Sequence, residues 1–174
     1  MNIRFLLVST LAALFVSGCG QKDTNATSAS GSSAAPASAS TPVPAKAAGP
    51  RVIEITANDA MKFNLATIEA TAGEQLKIVL TNVGNMPKEA MGHNLVLLKA
   101  GTDAAAYAAA AMGAKDTDYL PPALKDQVIG ATKLLGPRKS DEFTFTVPAA
   151  GQYTFLCSFP AHFVVGMKGT LIVK

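Results

Sequence analysis

Tryptophan is absent from this chain, and cysteine and histidine occur only twice each among 174 residues. Two cysteines cannot build the multi-disulfide framework of a small exported scaffold. Two histidines leave none to spare for a second histidine-rich metal. Charged residues make up 16% of the chain, and the formal net charge is +3. That balance is too mild for a nucleic-acid partner, and no basic run interleaved with aromatics is present. Long apolar runs are missing after the first residues, so nothing later in the chain is read as a membrane span. Internal repeats are absent too.

What is present divides the chain into three parts. Residues 1–18 carry Arg4, then an apolar run from Phe5 to Val16, then the small residues Ser17 and Gly18. This is the pattern of a secretory signal, too short and wrongly flanked for a spanning helix. Val16-Ser17-Gly18-Cys19 resembles the bacterial lipobox, in which Cys19 receives lipid and becomes the mature N-terminus. Gly20 at the next position implies passage to the outer membrane, or to the outside of the plasma membrane where no outer membrane exists. Two or three acyl chains make a stable anchor. Residues 19–50 collapse to Ala, Ser, Thr, Pro and Gly, with Val43 as the one large aliphatic residue after Gly20. Burial cannot offset the ordering entropy of such a stretch, so it reads as a flexible tether.

Residues 51–174 are of single-domain size. Short alternating runs dominate them. "RVIEIT" and "EQLKIVLTN" place Ile53, Ile55, Leu76, Ile78 and Leu80 on one face. "DEFTFTV" alternates Phe143, Phe145 and Val147 with threonines, and "QYTFLC" does the same with Tyr153, Phe155 and Cys157. Gly, Pro and Asn punctuate the runs. The pattern predicts an all-β fold, an antiparallel Greek-key β-sandwich. One segment differs: "TDAAAYAAAAMG" predicts a helix capped by Thr102 and Gly113, within an insertion from Thr102 to Leu135 outside the sandwich.

If Cys19 carries lipid, Cys157 is a lone thiol in an exported domain, which calls for a reason. It sits in "CSFPAHFVVGM", followed by His162 and Met167. Singly, each of these reads as a core or turn residue, and so does His93 in "MGHNLVLL". Jointly they are the two histidines, the unlipidated cysteine and a methionine. A strand His followed by a loop bearing Cys, His and Met is the donor set of a type 1 blue copper site. Thiolate and thioether favour Cu(I), and imidazole suits Cu(II). Phe155, Phe159, Phe163, Val164 and Val165 would keep water out.

"AMGHNLVLL" and "CSFPAHFVVGMKGTLIVK", with "NDAMKFN", "NMPKEAMGHN", "DYLPP" and "VIGATKLLG", resemble the azurin branch of the cupredoxins across nearly all of residues 51–174. The resemblance implies His93, Cys157 and His162 as equatorial copper ligands, Met167 as a distant axial sulfur and the Gly92 carbonyl as a weak axial donor. It implies that Asn94 ties the two ligand loops together, and that the N–H groups of Asn94 and Phe159 donate to the Cys157 sulfur. It further implies one exposed ligand edge, that of His162. Met91, Pro160, Ala161, Phe163 and Val164 would surround it as a docking patch for transient redox partners, such as a c-type cytochrome or a copper-containing reductase.

The chain departs from azurins in three ways. Four residues, Phe163 to Gly166, separate His162 from Met167, a spacing like that of auracyanins and plastocyanins where azurins have three. No cysteine is left for the azurin disulfide. No further histidine is present, with Asn82 and Ala131 near the corresponding places. The function implied is non-enzymatic electron transfer at the cell envelope by one copper per domain. Copper storage or delivery is the alternative. Copper oxidases and nitrite reductases need more histidines, and a dinuclear CuA centre needs two thiolates in the loop. With no histidine outside the ligand set, the reduction potential should stay nearly flat from pH 6 to 8; voltammetry showing a clear histidine-like slope in that window would contradict this.

Overall fold

The computed structural model describes residues 49–174. The signal segment, Cys19 and almost all of the tether fall outside the described residues. Nine strands are formed: β1 (Arg51–Asn58), β2 (Lys62–Phe63), β3 (Thr67–Ala70), β4 (Gln75–Asn82), β5 (Val96–Leu98), β6 (Val128–Ala131), β7 (Ser140–Thr146), β8 (Gly151–Leu156) and β9 (Lys168–Val173). They make two sheets, in the orders β2-β1-β4-β7 and β3-β9-β8-β5-β6. Two helices, α1 (Lys88–Met91) and α2 (Ala104–Ala111), lie between β4 and β6. Among the described residues no helix is long and apolar enough to cross a membrane.

The sandwich is the all-β fold that alternation predicts, but it is not wholly antiparallel. β1 runs parallel to β4, and β3 runs parallel to β9. The reason is connectivity. β2 runs antiparallel to β1; after it the chain crosses to the other sheet for β3 and returns for β4, which comes to lie beside β1 through that crossover rather than a hairpin and so can run parallel to it.

Residues alternate inward as their spacing requires. Ile55, Leu76, Ile78, Leu80, Phe145, Val147, Tyr153, Phe155 and Leu171 are buried in one core, with Ile53 and Phe143 at its margin. Each buried large side chain contributes about 1.5–3 kcal/mol. Close packing at the middle fixes β8 against β9. A Cβ on Gly169 would lie 2.2 Å from Phe155 Cζ and 2.6 Å from the Ala66 carbonyl oxygen, so no larger residue fits there.

The helix begins and ends differently from expectation. Its N-cap is Asp103, whose Oδ1 accepts from the N–H groups of Ala105 (2.9 Å) and Ala106 (3.0 Å). A carboxylate there also meets the positive end of the helix dipole, which Thr102 cannot do. The C-cap is Met112 rather than Gly113, and the chain continues into a short 3₁₀ turn at Lys115–Thr117. The insertion is also shorter than Thr102 to Leu135. β6 joins the five-stranded sheet beside β5, and Leu135 forms a bridge with His93. The β-branched pair Val128-Ile129 and the apolar cover explain why this stretch joins the sheet.

β5 is buried on both faces, which is why "LVLL" shows no alternation. Leu97 faces the main core, whereas Val96 and Leu98 pack with Leu156 and Tyr107 of α2. The helical insertion therefore presses on the strand that follows His93 and on the strand that leads to Cys157.

Candidate metal centre

β8 delivers Cys157 immediately past its last residue, at the end of the sandwich. From there the chain folds back on itself before entering β9. Cys157 N–H donates to the Met167 carbonyl (3.1 Å) and Met167 N–H to the His162 carbonyl (2.9 Å), while His162 N–H donates to the Phe159 carbonyl (3.1 Å). Gly166 takes a φ of +94°, a left-handed conformation that glycine adopts without strain. On the other side, His93 exchanges hydrogen bonds with Leu135, giving to its carbonyl at 3.1 Å and accepting from its N–H at 2.8 Å. Gly92 precedes it in a tight place, where a Cβ would come within 2.6 Å of the Lys88 carbonyl oxygen.

These two segments bring His93, Cys157 and His162 together. One donor atom from each lies within 4.8 Å of the others, and Cys157 Sγ is 3.4 Å from His162 Nδ1. The two imidazole rings stand 4.9 Å apart between centroids. All three side chains are buried, and Met167 lies fully buried in the same apolar cluster as Cys157 and Phe159. Both nitrogens of His93 are sealed from solvent and neither makes a hydrogen bond of good geometry, although the Asn58 backbone and the Asp59 carboxylate lie near enough to act on the ring. Two orphaned ring nitrogens are costly in an apolar setting unless something other than protein or water completes one of them. A soft or borderline metal ion bound through imidazole and thiolate fits that vacancy of partners, and the donor set is that of copper.

Burial also sets the protonation of the donors. It pushes the Cys157 thiol up to about 12, against backbone hydrogen bonds from Asn94 and Phe159 that favour the thiolate. It pulls His162 down to about 4, helped by the neighbouring charge of His93, and it lowers His93 as well, opposed by the Asp59 carboxylate. At neutral pH both imidazoles are therefore free bases ready to ligate. The sulfur must shed its proton to a metal that replaces it.

Asn94 spans the two segments. Its Nδ2 donates to Ser158 Oγ (2.8 Å) and to the Asp118 carbonyl (3.0 Å), and its Oδ1 accepts from Ser158 N–H (2.8 Å). Ser158 Oγ in turn donates to the Tyr119 carbonyl at 2.7 Å. Ser158, Asp118 and Tyr119 were not among the sequence-predicted site residues. Asp118 and Tyr119, in "DYLPP", take part through backbone carbonyls that no residue type announces, whereas Ser158 acts through its hydroxyl as well as its N–H.

As a whole residue His162 is only 2% exposed, so no more than an edge of its ring reaches solvent. The loop wraps it, because Ala161 and Val164 take the outer positions. Val164 is 84% exposed and Val165 45%. Ala161 is exposed, Met91, Pro160 and Phe163 are half-buried, and Lys168 Nζ lies 4.6 Å over the Phe163 ring.

A two-sheet sandwich with a buried His₂Cys cluster at the mouth of its core defines a cupredoxin. The chain belongs to the copper binding proteins of the plastocyanin/azurin family, matched over residues 51–174. It is 38% identical over 126 residues to azurin from Pseudomonas aeruginosa, covering 70% of this chain and 84% of that one. It is 43% identical over 121 residues to azurin-2 from Alcaligenes xylosoxydans xylosoxydans, covering 67% and 92%. Among solved structures, reduced auracyanin from Roseiflexus castenholzii superimposes with a TM-score of 0.65 at 35% identity, over 72% of this chain and 99% of that one. Copper is the family's metal.

The buried imidazoles predict how the metal-free domain responds to pH. The unfolded chain takes up protons on His162 near its ordinary value of 6.5, whereas the folded one resists until about 4. Stability from this source is complete above 6.5 and lost as pH falls through 4, and His93 adds to it with the same sign. Cys157 acts oppositely, losing stability as pH rises from 9.0 towards 12. Thermal melts of metal-free protein should show a plateau near pH 7–8 and a falling midpoint below about 6.5. A midpoint unchanged down to pH 4 would contradict the burial of neutral imidazoles.

Proposed function

We propose that the domain is a mononuclear type 1 copper electron carrier of the cell envelope, held to a membrane by lipid on Cys19 and shuttling electrons between redox proteins. The observation that supports this most is the sealed His93–Cys157–His162 cluster. All three donor side chains are buried and Met167 is packed in the same cluster, which leaves a substrate little access to a metal held there. Bound copper would supply a one-electron Cu(I)/Cu(II) couple. The protein's part would be to hold it with His93, Cys157 and His162 as strong donors and the Met167 thioether and Gly92 carbonyl as weaker ones. Those side chains are packed in the core, so they are held in one geometry whichever oxidation state they serve. N–H groups of Asn94 and Phe159 stabilise negative charge on the sulfur, and Phe159 excludes water from its side.

Electrons would leave by the loop end, where His162 lies closest to the surface beneath Ala161, Pro160 and Val164. Met91, Pro160, Ala161, Phe163 and Val164 make an apolar docking patch. A small patch of that kind suits brief encounters with partners such as a c-type cytochrome or a copper-containing reductase. The tether gives the domain reach to meet them.

Metal retention during redox cycling tests this reading against copper storage or delivery. Copper-loaded protein should be reduced and reoxidised repeatedly in the presence of a competing chelator without losing metal, and mixed oxidation states should show fast self-exchange by NMR line broadening. Release of copper to the chelator on reduction, with no measurable self-exchange, would sink the carrier reading and favour delivery.

A further inference from the structure

Two consecutive non-glycine residues, Asp118 and Tyr119, occupy the left-handed region, with φ of 55° and 60°. A single aspartate is tolerated there, but a bulky residue such as tyrosine is an outlier that persists only where its surroundings over-determine it. The surroundings here are the ligand loops. The Asp118 carbonyl accepts from Asn94 Nδ2 at 3.0 Å, beside His93. The Tyr119 carbonyl accepts from Ser158 Oγ at 2.7 Å, beside Cys157. The Tyr119 ring meets Phe159 edge-on at 5.1 Å, and Phe159 packs against His162 at 4.7 Å. Thus one corner, outside both ligand segments, touches the neighbour of each of the three ligands.

The side chain of Asp118 adds weaker holds. Its Oδ1 pairs with Lys88 Nζ at 3.0 Å, and its Oδ2 accepts from Leu134 N–H at 3.3 Å. Both partners of the ion pair are more than a third exposed, so it contributes little. The backbone carbonyls are different, because they reach Asn94 and Ser158 together from a corner in which both residues are left-handed.

We propose that the Asp118–Tyr119 corner is the positioning element of this centre: its left-handed backbone holds the His93 segment and the Cys157–His162 loop in register and keeps the donor cluster closed. The helical insertion then acts as a brace on the site. The inference rests on the copper reading for its consequence, slow metal exchange, but not for its test.

The test uses metal-free mature protein carrying Cys19→Ser, so that Cys157 is the one thiol. Cys157 is fully buried, and its reaction with an aromatic disulfide reagent reports opening of the loops. Asp118→Val strongly disfavours the left-handed backbone, whereas Asp118→Gly accepts it and removes the carboxylate. Asp118→Val should be labelled at least about tenfold faster than the parent, and Asp118→Gly within about threefold of it. Copper loss from the loaded variants to a chelator should rise in the same order. Val173→Ala, which removes buried methyl groups at the far end of β9, serves as a control for general destabilisation.

Parent-like labelling of Asp118→Val would overturn the proposal. So would Asp118→Gly labelled as fast as Asp118→Val, which would assign the hold to the carboxylate. So would equal acceleration in Val173→Ala. If Asp118→Val does not fold, Tyr119→Leu carries the question, because it deletes the ring contact with Phe159 and keeps an apolar side chain. Faster labelling is expected there, and a parent-like rate would overturn the proposal. None of these rates depends on whether the loaded protein carries electrons.

Discussion

Two imidazole nitrogens without partners, sealed inside an apolar sandwich, are the constraint on which the rest of this structure depends. His93 is fully buried, and its ring would be a net cost to folding if nothing ever completed it. The neighbouring thiol is buried just as deeply, in its protonated form when no metal is bound. A core that tolerates such groups gives up part of its stability in exchange for a site whose donors are already in place. That arrangement suits a metal which must change charge without its ligands moving.

The sandwich supplies the rigidity. β8 and β9 flank the ligand loop, so Cys157 and Met167 are anchored by a six-residue antiparallel register on their far side. β5 follows His93 and is covered on both faces, by the core and by α2. Between these anchors the loops are joined mostly by hydrogen bonds that involve backbone atoms, with Asn94 and Ser158 as the side chains that close the circuit. The loop between His162 and Met167 turns Val164 outward and leaves both of its end residues buried.

Much of this was legible because the chemistry is scarce in the sequence. With two histidines and one cysteine in the domain, the composition alone brings His93, Cys157 and His162 under suspicion, and period-two alternation locates the strands that carry them. Other features were not legible for physical reasons. The parallel pairs β1/β4 and β3/β9 arise from crossings between sheets, which leave no mark on alternation. β6 hid inside a stretch read as helical insertion, because four half-buried residues carry little pattern. The cap at Asp103 rather than Thr102 was a choice between adjacent capping residues, decided by which one reaches the N–H groups. How much of His162 its own loop covers was likewise not legible, because that depends on the path of the backbone. Asp118 and Tyr119 escaped notice because backbone conformation, rather than side-chain type, makes them matter.

The central claim is that Cys157, His93 and His162 hold one copper ion in a constrained, thiolate-bound geometry. The most direct measurement is the visible and electron paramagnetic resonance spectrum of the protein loaded with Cu(II). An intense thiolate-to-copper absorption with a narrow copper hyperfine splitting is the predicted result, and a greener variant of it would report a displaced Met167. A pale spectrum with the wide splitting of ordinary tetragonal copper would mean that Cys157 does not ligate, and the account would fall.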